Sequence, residues 1–155
     1  IEQPPITAYG QETVEFHISA NPGQPPQPLH KVASGGELSR INLAIQAITA
    51  AHYPTPTLIF DEVDTGIGGE TAHVVAELLQ ELGKQSQVLC ITHLPQVAAK
   101  GHHHFHIHKN TQNNKTLSQI KLLKNSERIE EIARMLGGKT SASQSHAEEM
   151  LATHN

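Results

Sequence analysis

The chain has 155 residues, enough for one modest domain, with 37% apolar and 3% aromatic residues and a formal charge of −4. Its single cysteine, Cys90, excludes a disulfide framework and fits a reducing cytoplasm. No run approaches the ~18 apolar residues of a membrane span, and the mild acidity argues against a surface that grips nucleic acid by itself.

The start, Ile1-Glu2-Gln3-Pro4-Pro5, has no basic region followed by an apolar run and does not read as a signal peptide. Val14, Phe16 and Ile18 alternate with Thr13, Glu15 and His17, which predicts a half-buried strand. The proline-rich stretch from Asn21 to Pro28 then predicts an extended connector. A helix is expected to open at Ser34-Gly35-Gly36-Glu37 and run to about Ala51, with Ser34 and Glu37 as a capping box. Leu38, Ile41, Ile45 and Ile48 form its predicted buried face, and Pro54 and Pro56 stop it.

Thr57-Leu58-Ile59-Phe60 and Val88-Leu89-Cys90-Ile91 are short apolar runs, joined by a predicted helix from about Glu70 to Leu82. Two buried strands linked by a helix form a βαβ unit, and ligands of parallel sheets sit beyond the carboxyl ends of their strands. Asp61, Glu62 and His93 therefore share one rim. Pro95 starts a short helix to about Lys100. Phe105 and Ile107, alternating with His104, His106 and His108, predict a strand that turns at 110–114 and pairs with Thr116–Leu122. Helices near Glu127–Leu136 and Ala142–Leu151 complete the chain.

Asp61, Glu62 and Asp64 place three carboxylates within four residues at a strand end. They read either as an ordinary solvated terminus or as a magnesium–phosphate site, since magnesium takes oxygen ligands and keeps several waters. In the second reading the adjacent glutamate orients or deprotonates a water. Ser34-Gly35-Gly36-Glu37 is either a capped helix start or an anion site, because glycines admit close backbone approach and a helix start offers free N–H groups. His93 is either a polar strand end or a hydrogen-bond donor to phosphate.

In their order and spacing these motifs resemble the C-terminal lobe of an ATP-binding-cassette ATPase head of the SMC-like kind. The strings Lys31-Val32-Ala33-Ser34-Gly35-Gly36-Glu37-Leu38-Ser39-Arg40, Phe60-Asp61-Glu62-Val63-Asp64-Thr65-Gly66-Ile67 and Thr92-His93-Leu94-Pro95-Gln96-Val97-Ala98 narrow the resemblance to SMC-like ATPases of DNA double-strand-break repair. It covers roughly residues 10–138. Ala33-Ser34 departs from the Leu-Ser of many transporter relatives. The resemblance implies an α/β lobe with a mostly parallel sheet, flanking helices and an edge hairpin. It also implies three regions: strand and connector 1–30, ATPase lobe 31–138, and C-terminal helix and tail 139–155.

By the same resemblance Ser34, Gly35, Gly36 and Glu37 are the signature that contacts ATP on an opposing head. Asp61 is the Walker B magnesium ligand, Glu62 the catalytic glutamate, Asp64 part of the D-loop and His93 the switch histidine. ATP and magnesium are the implied cofactors. The implied partners are an N-terminal head lobe with its coiled coil, a second head, and DNA held by the larger assembly, in the nucleoid region of the cytoplasm. A transporter-type or other recombination ATPase is the alternative within the fold.

A phosphate loop, Gly-x-x-x-x-Gly-Lys-Ser/Thr, is missing. Gly138-Lys139-Thr140 would need its first glycine at Ala133 and follows a helix, so Gly137-Gly138 reads as a helix C-cap. Nucleotide binding by this chain alone is expected to be feeble. Gly66, Gly68 and Gly69 do not make a dinucleotide fingerprint, whose third glycine falls at Thr71. The 12 histidines outnumber Lys and Arg together and are densest at 102, 103, 104, 106 and 108. On a strand, His104, His106 and His108 share one face, either as a solvated edge or as a zinc or nickel site.

Overall fold

The computed structural model describes residues 6–152, apart from 9, 20–22, 33, 51, 53–54, 113–114 and 139. The beginning of the proline connector, Ala33 of the signature string, the helix stop at Pro54 and the hairpin tip lie outside the described residues. The chain divides into two compact units, Ile1–Gly35 and Gly36–Asn155.

In the first unit, β1 (His17–Ile18) pairs antiparallel with β2 (Gln27–Pro28), placing His17 opposite Pro28. The Leu29 N–H donates to the Phe16 carbonyl at 2.8 Å, and α1 (Leu29–Val32) adds one turn. The expected half-buried strand is cut to two residues, and Val14 and Phe16 are exposed. A two-stranded ladder without a packed layer offers alternating apolar side chains nothing to cover them.

The second unit is built on the expected βαβ. β3 (Thr57–Phe60) runs into α3 (Gly69–Leu82) and returns as β4 (Gln87–Cys90), parallel to β3 in the register Thr57 with Gln87 and Phe60 with Cys90. Leu58, Phe60, Val88 and Cys90 face a core that contains Val75, Ala76, Leu79 and Leu82 of α3. Phe60 is 2% exposed; burying such a side chain contributes about 1.5–3 kcal/mol. The opposite face, carrying Ile59, Leu89 and Ile91, is bare.

α2 (Gly35–Thr49) also forms where expected, but it turns a different face inward. Leu43 is buried, with Ala47 and Ala50 in the same core, whereas Leu38, Ile45 and Ile48 are exposed. The spacing correctly gave a helix and marked its bulkiest stripe. Rotation about the helix axis was set instead by Gly36, where the backbone closes onto the loop after β3. Gly36, Arg40, Leu43, Ala47 and Ala50 follow that inner face at helical spacing.

α4 (Pro95–Lys100) has proline in its first turn, as expected. β5 (Phe105–Gln112) and β6 (Lys115–Leu122) form the antiparallel hairpin, with Phe105 opposite Leu122 and Ile107 opposite Ile120. Residues 110–112, expected in the turn, continue β5. α5 (Asn125–Met135) and α6 (Ser141–Ala152) pack with α4 through Ile132, Ala133, Ala147, Ala98 and Ala99. Gly137 and Gly138 have φ of 110° and 145°, and their N–H groups donate to Arg134 and Ala133 carbonyls, the C-cap read from sequence. Among the described residues no helix is long and apolar enough to cross a membrane.

Candidate functional site

The loop after β3 turns sharply at Glu62, whose φ of 60° is in the left-handed region. For a residue with a Cβ that conformation costs about 1–2 kcal/mol. Its carbonyl accepts the Thr65 N–H at 3.1 Å, closing a turn that buries Val63 and Asp64 and leaves the Asp61 and Glu62 side chains exposed. A second clamp comes from α2. Arg40 Nη1 donates to the carbonyls of Thr65 at 2.8 Å and Val63 at 3.3 Å. One turn earlier, Gly36 lies so close that a Cβ there would meet the Glu62 carbonyl at 3.0 Å and Thr65 Cβ at 3.1 Å.

The strand-end residues of β4 join the same loop through Asp64. Its Oδ2 accepts the Thr92 hydroxyl at 2.5 Å and the N–H groups of His93 at 2.9 Å and Leu94 at 3.3 Å. His93 Nδ1 lies 3.2 Å from that oxygen. Burial pulls the Asp64 carboxyl upward, but the Thr92 hydroxyl, the His93 amide and the His93 ring outweigh it and hold it below the ordinary value. Burial, with the negative charges of Asp64 and Asp61, pushes the Cys90 thiol up to about 12, so this cysteine is no nucleophile.

Asp61, Glu62, Asp64, Thr65, Ile91, Thr92 and His93 line one concavity of about 180 Å³. The structure thus brings together Asp61, Glu62 and His93 at the carboxyl ends of a parallel strand pair. Asp64, expected beside the cofactor, is 2% exposed and has its carboxylate committed to residues 92–94. Gly36 abuts the rim, and Glu37 is partly buried in the first turn of α2. Ser34 and Gly35 are exposed and close the first unit. Arg40 and Thr92 carry structural roles that sequence reasoning left unassigned. The signal for Arg40 was its position four residues after Gly36, on the same helix face.

The donor chemistry suits a hard cation that brings its own phosphates. Asp61 is an exposed carboxylate beside Glu62, and magnesium needs only one or two carboxylates when substrate oxygens and waters fill its shell. Among the described residues no group of three His, Cys, Asp or Glu is placed to hold a metal unaided, the histidine strand included. His106 and His108 do share a face, with ring centroids 5.8 Å apart, and His106 Nε2 is 3.9 Å from Glu131 Oε1 of α5.

The chain folds as an α/β lobe similar to a solved chain described under "ATP-driven dimerization and DNA stimulated activation of SMC ATPases", which superposes with a TM-score of 0.51 at 21% identity, over 76% of this chain and 70% of that one. In sequence the chain is similar to DNA repair protein RecN. It is 56% identical over 138 residues to RecN of Xylella fastidiosa (strain 9a5c), covering 89% of this chain and 25% of the relative. It is 53% identical over 148 residues to RecN of Haemophilus influenzae and 45% over 148 to RecN of Bacillus subtilis, covering 94% of this chain and 26% of each relative. The chain spans about a quarter of the length of the curated relatives it matches. No family model matches it.

Proposed function

We propose that this chain is the C-terminal ATPase-head lobe of a RecN-like, SMC-like protein of DNA double-strand-break repair, with residues 31–138 as the lobe proper. The observation that carries the reading is the convergence of Asp61, Glu62 and His93 in one concavity, with Gly36 of α2 close against its rim. Asp61 would hold magnesium, which when bound neutralises phosphate charge and orients the phosphate oxygens. The Glu62 carboxylate accepts the proton of the attacking water, and His93 meets the terminal phosphate. Ser34, Gly35, Gly36 and Glu37 offer backbone N–H groups to ATP on an opposing head.

The phosphate loop belongs, in this reading, to an N-terminal lobe joined through a coiled coil. The bare Ile59, Leu89 and Ile91 face supports such a neighbour, because parallel sheets are stable only when both faces are covered. Dimerisation of two heads around ATP is part of this reading; the SMC neighbour's description names ATP-driven dimerisation of that protein. With a charge of −4 on this lobe, DNA contacts fall to the rest of the assembly, in the nucleoid region of the cytoplasm. The test is Glu62→Gln in the full-length protein. ATP hydrolysis should be lost while an ATP-bound dimer persists in size-exclusion chromatography. Undiminished turnover refutes the assignment of Glu62.

A further inference from the structure

We propose that Asp64 is a positioning residue: its buried carboxylate keeps a hydrogen on Nδ1 of His93 and so presents Nε2 to the concavity. The inference rests on the ATPase reading for what His93 then does, and on geometry alone for how the ring is held. His93 Nδ1 lies 3.2 Å from Asp64 Oδ2, where a bare nitrogen would set its lone pair against the carboxylate charge, so that charge favours the hydrogen on Nδ1. In the neutral ring the lone pair then sits on Nε2.

Three donors reach that oxygen, the Thr92 hydroxyl and the His93 and Leu94 amides, so the carboxylate fixes the backbone from which the His93 ring projects. The His93 side chain is 68% exposed, so packing does little to choose its orientation. Asp64, by contrast, cannot swing away. It is 2% exposed and lies between two carbonyls, of Val63 and Thr65, that Arg40 holds. Through this chain of contacts the start of α2, the loop after β3 and His93 form one connected unit. Such outer-shell partners, where they orient a working histidine, are typically worth about 10–100-fold in function.

Two measurements decide. In the 155-residue chain with isotope-labelled histidine, long-range proton–nitrogen NMR at pH 8 should show His93 with Nδ1 protonated and Nε2 bare. Asp64→Asn, which keeps the shape and removes the charge, should mix in the opposite tautomer. A wild-type His93 protonated on Nε2 overturns the proposal, and that reading needs no variant to fold. In the full-length protein, Asp64→Asn should lower kcat for ATP hydrolysis about 10–100-fold and change KM less than about threefold. In a His93→Ala background the same substitution should cost nothing more. Additive losses overturn the proposal. Full-length wild type without ATPase activity counts against the ATPase reading alone, and the tautomer still decides the role of Asp64.

Discussion

Replacing Gly36 by alanine sets two physical effects against each other with opposite signs. In a helix alanine is favoured over glycine by up to ~1 kcal/mol, because glycine loses more backbone entropy on folding. Against this, the new Cβ would lie 3.0 Å from the Glu62 carbonyl oxygen and 3.1 Å from both Thr65 Cβ and Arg40 Nη1, where ordinary contacts begin near 3.4 Å. The Arg40 arm can give way. The Glu62 carbonyl cannot do so easily, since it already accepts the Thr65 N–H and belongs to a left-handed residue. Separating α2 from the loop by a few tenths of an ångström is an overpacking cost of about 1–3 kcal/mol. Offsetting the two leaves a net loss of up to about 2 kcal/mol in urea unfolding of the chain. A raised midpoint would refute the close-packing argument and with it the coupling of α2 to the site.

Three further outcomes follow from the same contacts. Arg40→Ala removes the donor to the Val63 and Thr65 carbonyls and should cost about 1.5–3 kcal/mol, the range for hydrogen bonds to charged groups. Arg40→Lys should recover less than half of that, because both bonds come from Nη1 and the shorter lysine arm does not carry its ammonium to that place; full recovery in urea melts argues against the two-carbonyl clamp. Burial holds the His104 ring below its ordinary value, with Arg128 adding to the effect and Glu131 opposing it. The folded ring therefore resists a proton that the unfolded chain accepts. Its contribution to stability is complete above about pH 6.5 and declines as pH falls through that value towards the folded pKa. His104→Gln should shrink the difference between urea midpoints at pH 8 and pH 5; an identical difference refutes it. Ile132→Ala in α5 empties a fully buried position in the cluster shared with Ala98, Ala99 and Ala147 and should cost about 2–5 kcal/mol, read by thermal unfolding followed by circular dichroism. A loss below 1 kcal/mol would mean that α4, α5 and α6 do not share a core.

Local chemistry made much of this molecule legible. The continuous apolar runs at 57–60 and 88–91 marked the two strands, of which the folded chain covers only the face carrying Leu58, Phe60, Val88 and Cys90, and the helix between them fixed their parallel direction. That alone brought Asp61, Glu62 and His93 to one rim. The prolines at 25–28 and the glycines at 137–138 likewise marked an extended edge and a helix end, because backbone restrictions act within a few residues.

Which face of α2 is buried was not legible. Leu38, Ile41, Ile45 and Ile48 form the more apolar stripe, but close approach of Gly36 to Glu62, 26 residues away in the chain, turned Leu43 inward instead. Nor did the sequence distinguish the three carboxylates of the loop from one another. Only the folded chain buries Asp64 against Thr92, His93 and Leu94 while leaving Asp61 and Glu62 at the surface. Periodicity and turn chemistry are short-range and act through the residues themselves. The rotation of a helix and the desolvation of a carboxylate depend on what packs from elsewhere, and tertiary structure alone decides them.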